Sequence, residues 1–169
     1  MKKKTLYVDM DGVSCNLDDY MHTIMPGIPL CDGPDFQERS KIFTRAVQQN
    51  PDVFLRLKPM PGAIKRITNL MGMYDVYFLS TPMDTHFLSY THKREWLERY
   101  FGGLADKKLI LTHRKDLQIG DYIVDDTTRN GVSEFTGEHL HFGTEKFPDW
   151  ETTYNYLLAA YNRDQLTAA

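Results

Sequence analysis

Four short apolar runs constrain this chain most: Leu6 to Val8, Val76 to Leu79, Leu109 to Leu111 and Tyr122 to Val124. Each is rich in β-branched, aromatic or leucine residues and gives way at once to small polar or acidic residues, as strands buried on both faces do. Helical patterns lie between them. Pro61-Gly62 opens one with Ile64, Ile67 and Met71 at helical spacing. A second runs from about Ser89 to Phe101, with Trp96, Leu97, Tyr100 and Phe101 on one side and Gly102-Gly103 ending it. A last helix follows Pro148, from about Trp150 to Tyr161. Strands alternating with helices predict parallel βαβ units, hence an α/β fold with a doubly wound parallel sheet.

The first interval breaks this rhythm, because far more chain separates the first run from the second than one crossover helix needs. Asn16 to Met25 and Asp35 to Gln49 both read as helices, joined by the turn-rich Pro26-Gly27-Ile28-Pro29 and Asp32-Gly33-Pro34. The expected organisation is a core from residues 1–15 and 59–169, with 16–58 as a small helical cap inserted after the first strand.

At 169 residues, with 41% hydrophobic and 25% charged, the chain can bury one core of ordinary globular composition. A formal net charge of -3 and no basic block beyond Lys2-Lys3-Lys4 argue against polymeric nucleic acid as a partner. Cys15 and Cys31 form no CxxC pair, which fits a reducing compartment. Only Thr5-Leu6-Tyr7-Val8 separates the leading lysines from Asp9, too little for a secretory segment, and no run reaches a membrane span. The expectation is a cytoplasmic protein with no membrane partner; a homodimer stays open.

Ligands of an open parallel sheet bind outside the carboxyl ends of its strands, so the residues that follow each run carry the functional argument. They are Asp9-Met10-Asp11-Gly12, Ser80-Thr81, His113-Arg114-Lys115 and Asp125-Asp126. That set suits phosphoryl transfer. A carboxylate nucleophile is repelled by an anionic phosphate ester unless cations offset it, and Mg2+ held by Asp9 and the terminal acidic pair would do so. Lys115 supplies a point charge against phosphoryl oxygens, and Ser80 and Thr81 supply hydrogen bonds. Two carboxylates flanking one residue can divide the work, one facing phosphorus and the other serving as acid and then base. Taken singly, each piece has a plainer role as a turn, a helix cap or a solvated charge; the order of the set is what speaks for chemistry. His139 and His141 share a face of a further strand but have no third ligand nearby. Phe36, Phe43 and Phe54 read as the packing core of the insertion, open to a share in a base pocket.

Asp9-Met10-Asp11-Gly12-Val13, Ser80-Thr81-Pro82, Lys115 and Asp125-Asp126 resemble the four ordered motifs of the haloacid dehalogenase superfamily. Leu57 to Ala63, Phe78 to Pro82, Lys93 to Gly102 and Leu109 to Thr112 are similar to segments of its 5′(3′)-deoxyribonucleotidases. The resemblance implies a Rossmann-like phosphatase in which Asp9 becomes an aspartyl phosphate and Asp11 is the acid/base. It further implies Mg2+ on the Asp9 carboxylate, the Asp11 main-chain carbonyl and Asp126, with Asp125 behind them. Ser80, Thr81 and Lys115 would hold the phosphate of a small-molecule ester, a nucleoside monophosphate by this likeness. Asn16 replaces a usual Asp, Leu17 an aromatic that helps to hold the base in animal members, and Ser80-Thr81 reverses a common Thr-Ser order. Phe54 and Leu17 are the cap residues expected to touch substrate. Two other readings remain open: a phosphatase of the same superfamily acting on a phosphosugar, and a receiver-like domain phosphorylated on Asp. A receiver places its acidic pair after the first strand and its phosphoacceptor after the third, which is not the order here.

Overall fold

A computed structural model describes residues 2–24, 26 and 36–167, with the backbone alone for 36–39. The linker expected around Gly27 to Pro34, Cys31 and the side chain of Phe36 lie outside the described residues. The strands are β1 (Thr5–Val8), β2 (Asp75–Ser80), β3 (Leu109–Leu111), β4 (Tyr122–Asp125) and β5 (Glu138–His141). The helices are α1 (Leu17–Ile24), α2 (Phe36–Gln49), α3 (Val53–Arg56), α4 (Ala63–Met73), α5 (Leu88–Phe101) and α6 (Trp150–Thr167). All strands are parallel, in the order β3-β2-β1-β4-β5. The α/β expectation is met, with α6 reaching further than the sequence suggested.

The strand order reverses beside β1. The chain builds outward through β2 and β3, then crosses to β4 on the other side. Outside the carboxyl ends of β1 and β4 lies the topological switch point, the place where such sheets open a crevice. Leu6, Val8, Phe78 and Val124 are fully or nearly fully buried, as central strands require.

The helices fix the sheet through their apolar stripes. Ile67 and Leu70 of α4 are fully buried, and Tyr74 just beyond donates its hydroxyl to Leu157 O of α6 at 2.7 Å. Trp150, at the start of α6, donates Nε1–H to Val13 O at 2.8 Å and ties that helix to the loop after β1. Asp149 caps α6 by accepting from Thr152 N at 2.8 Å. Trp96 of α5 donates to Leu57 O at 2.8 Å, and Arg99 donates to Leu55 O at 2.9 Å. These bonds seat α3 and the residue that follows it against α5. Met21, Ala46, Val47, Val53, Phe54 and Leu57 join the same buried cluster as β1 and α4, so α1–α3 pack on the core rather than on themselves alone. At roughly 1.5–3 kcal/mol for each fully buried aliphatic or Phe side chain, that packing holds them in place.

Candidate active site

The loop after β1 is wound so that its side chains alternate in direction. Asp9 N continues the ladder to Val124 O at 2.9 Å, and Val13, Ser14 and Cys15 all donate their amides to Met10 O. Ser14 Oγ donates to Asp9 O at 2.7 Å and Cys15 Sγ to Met10 O at 3.1 Å. Met10 is buried in the core, while Asp9 and Asp11 line a cavity of about 510 Å³. Gly12 holds φ +80°, and a β-carbon there would collide with the Asp126 carboxylate.

Around this loop the strand ends converge. Lys115, buried at the start of a short 3₁₀ turn, places Nζ 3.0 Å from Asp9 Oδ1 and 2.5 Å from Asp125 Oδ2. The first contact has ion-pair distance without hydrogen-bond direction, so Asp9 Oδ1 is buried with no hydrogen bond to protein. Burial alone would lower the Lys115 pKa, but the charges of Asp9 and Asp125 outweigh it and raise the value. Burial first, then repulsion from Asp9, pushes Asp125 up to about 6, and the same causes raise Asp126 well above the ordinary carboxylate range.

Asp9, Asp125 and Asp126 bring carboxylate oxygens within 4.8 Å of one another. They differ in what they have left to give. Asp125 accepts from Lys115 on Oδ2 and from Thr127 N (3.0 Å) and Thr127 Oγ1 (3.1 Å) on Oδ1. Asp126 lines the cavity. Crowded hard oxygen donors, raised carboxyl pKa values and a hydrogen-bond-free Asp9 oxygen fit a small divalent cation such as Mg2+. The two histidines of β5 stand behind this pair, Nε2 of His139 bonded to Asp125 O at 2.9 Å and Nε2 of His141 to Asp126 O at 3.1 Å.

Ser80 ends β2 fully enclosed but on the cavity wall. Thr81 lines the cavity too, with its hydroxyl donated to Thr112 O at 3.0 Å. Leu17 of α1 and Phe43 of α2 line the cavity, as does Phe54 of α3, which is 4% exposed. Arg114 turns away and pairs with Asp116. One residue escaped the sequence reading. Lys93 of α5 is 1% exposed and donates to Asp11 Oδ2 at 2.5 Å and Ser80 Oγ at 3.0 Å. Its signal was there: Ser89, Lys93, Trp96 and Leu97 form one helical stripe, which places a lysine on a buried face.

The profile of the family described as 5′ nucleotidase, deoxy (pyrimidine), cytosolic type C protein (NT5C) matches residues 34–155. A protein of Vibrio phage KVP40 assigned as a 5′(3′)-deoxyribonucleotidase is 41% identical over 155 residues, covering 92% of this chain and 85% of that protein. The human cytosolic-type 5′(3′)-deoxyribonucleotidase is 29% identical over 101 residues, covering 57% of this chain and 50% of the human one. Among solved structures, the HAD-hydrolase YfnB of Bacillus subtilis, bound to magnesium, superposes with a TM-score of 0.57 at 13% identity over 93% of this chain and 99% of that one. A haloacid dehalogenase-like hydrolase from Xanthomonas campestris gives a TM-score of 0.57 at 10% identity over 96% and 97%. These structures share the fold; the sequence relatives go further, and the chain belongs to the 5′(3′)-deoxyribonucleotidase (NT5C) family of phosphoric monoester hydrolases.

Proposed function

We propose that the chain is a Mg2+-dependent phosphatase of (deoxy)nucleoside monophosphates that works through an aspartyl phosphate on Asp9. The supporting observation is that Asp9 lines the cavity with Asp11, Lys115 Nζ lying 3.0 Å from its Oδ1 and an Asp126 oxygen within 4.8 Å. Asp9, Asp126 and the Asp11 main-chain carbonyl would hold the ion, with Asp125 orienting them, and the ion supplies positive charge against the phosphoryl oxygens. An Asp9 oxygen attacks phosphorus while the ester P–O bond breaks, and the departing oxygen takes a proton from Asp11. Asp11, now a carboxylate, takes a proton from water as the hydroxide attacks phosphorus, which releases phosphate and restores Asp9. Lys115 and Ser80 face the phosphoryl oxygens. Thr81, its hydrogen given to Thr112, shapes that end of the strand and contributes less.

The leaving group is covered by the cap. A cavity of about 510 Å³ lies in the range of small-molecule sites, and Leu17, Phe43 and Phe54 give it an apolar wall suited to a base and sugar. The nucleotide reading leans on the relatives' names as well, and a cytosolic setting on that of the human relative. Among the described residues no helix is long and apolar enough to cross a membrane. A hydrolysis screen against nucleotides and phosphosugars, with and without Mg2+ and with Asp9→Asn as control, tests the proposal. Nucleotides should lead, and activity should vanish in chelator and in the variant. Phosphosugars outrunning every nucleotide would refute the substrate class.

A further inference from the structure

Lys93 stands apart from the groups that face the cavity. It is 1% exposed and is absent from the cavity wall, yet it reaches two residues that are on it, Asp11 and Ser80. Its third side is covered by Phe54, whose ring centroid lies 5.1 Å from Nζ. A lysine enclosed this completely is retained only where its charge and donors are matched, and here Asp11 and Ser80 match them.

We infer that Lys93 is a positioning residue for the reaction, acting on two groups at once without touching the substrate; the inference rests on the phosphatase reading above. Towards Asp11, the short bond to Oδ2 fixes the carboxyl group in rotation, so that the acid/base meets the leaving oxygen in one orientation. Towards Ser80, the ammonium fills an acceptor position of Oγ. A hydroxyl has a single hydrogen, and among the described residues no protein acceptor takes it, so Lys93 leaves Ser80 polarised as a donor towards the cavity. The ammonium has no acceptor lone pair, which makes this polarity one-way. Phe54 keeps water from the pair and thereby links the cap to the acid/base.

The two effects separate by leaving group. An alkoxide, as from a nucleoside monophosphate, needs the Asp11 proton; p-nitrophenolate leaves without one. Hydrolysis of the aspartyl phosphate, where Asp11 is the base, is common to both substrates, so the difference is read in kcat/KM, which ends at phosphorylation; there loss of Asp11 orientation penalises the nucleotide more, whereas a merely structural loss lowers both by one factor. The test measures kcat/KM of wild type, Lys93→Met and Lys93→Gln on dUMP and on p-nitrophenyl phosphate. Lys93→Met should lose about 10²-fold in kcat/KM on dUMP, the scale of general acid catalysis, and under about tenfold on the aryl ester. Lys93→Gln, which can still donate to Ser80, should recover part of the aryl-ester loss and little of the dUMP loss. The ratio of the two substrates in one preparation does not depend on the fraction folded, so partial misfolding leaves the test intact. Equal losses in kcat/KM on both substrates, or no loss on either, overturn the positioning role while the phosphatase reading stands. A wild type inactive on both esters in Mg2+ overturns the phosphatase reading and this inference with it.

Discussion

The Asp126 carboxylate occupies the space that a β-carbon on Gly12 would take. Gly12 also holds φ +80°, a backbone region that costs other L-residues about 1–2 kcal/mol. One glycine thus lets the first motif and the last touch, and Gly12→Ala should separate them. The expected result is a modest fall in melting temperature and a loss of more than about tenfold in Mg2+ affinity, since a carboxylate ligand must move aside. Titration of Mg2+ followed by thermal shift checks it; unchanged Mg2+ affinity would remove Asp126 from the ion's ligands.

Lys115→Met keeps the stem and removes the charge between Asp9 and Asp125. Deleting one partner of a buried ion pair costs about 3–5 kcal/mol, because the partner's charge stays buried. The cation-free variant should therefore melt well below wild type, and Mg2+ should stabilise it more than it stabilises wild type. The rate should fall by about 10²–10³, as for other preorganised electrostatic groups. A variant within about threefold of wild type in kcat/KM would mean that another cation faces the phosphate. Arg114 is a poor substitute, tied as it is to Asp116.

The raised carboxyls set a pH dependence. Asp125 binds its proton more tightly folded, near 6, than unfolded, near 3.8, so its repulsion costs stability above the folded value and is relieved as pH falls through that window. Asp126 acts in the same direction. Mg2+ offsets the same repulsion and competes with the same protons. The Mg2+-induced rise in melting temperature should thus be larger near pH 7.5 than near pH 4.5. A rise independent of pH would show that the ion binds elsewhere.

Asp9→Asn keeps the shape of the site while replacing the proposed nucleophile by an amide. Turnover of every monoester should drop below detection, with the melting temperature within a few degrees of wild type or above it, since one of the crowded charges is gone. Retained activity would mean that phosphorus is attacked by some other group.

The gathering of Asp9, Asp11, Ser80, Lys115 and Asp126 on one cavity, with Asp125 bonded to Lys115, was legible from strand assignment alone, because parallel strands place the residues after each buried run along one edge of the sheet. Lys93 was passed over, since a lysine in a charged helix reads as solvated; the stripe through Trp96 and Leu97 puts it on the buried face, but only the fold shows that Asp11 and Ser80 meet it there. The resemblance had already set Asp125 behind Asp126; what no sequence pattern carried is that Lys115 and Thr127 donate to both Asp125 oxygens. Short α3 was invisible to periodicity, being a single turn. His139 and His141 offered a metal-like spacing, but their Nε2 atoms engage the Asp125 and Asp126 carbonyls, a tertiary relation that spacing cannot express.

Substrate choice is expected to turn on Phe54. Its ring is on the cavity wall, 4% exposed, with the His86 ring 6.0 Å away and Lys93 beneath. On the proposed mechanism the strand ends meet only the phosphate and treat all monoesters alike, so discrimination falls to residues that cover the leaving group. An apolar ring beside the sugar leaves a 2′-hydroxyl without a partner, a penalty of about 1–3 kcal/mol that favours deoxy substrates. Truncation in Phe54→Ala admits water there and supplies the missing partner. The kcat/KM ratio of dUMP to UMP should therefore fall by about tenfold, the lower half of that penalty. Because the same ring lies against Lys93, kcat/KM should fall on both nucleotides, more than on p-nitrophenyl phosphate. Leu17, too small to stack on a base, should leave dUMP, dTMP and dGMP within about tenfold of one another in wild type. Measuring these ratios alongside ribose 5-phosphate separates the outcomes. An unchanged deoxy-to-ribo ratio in Phe54→Ala would take Phe54 away from the sugar, and if nucleotides still outran the phosphosugar, the choice would pass to Leu17 and Phe43 on the same wall.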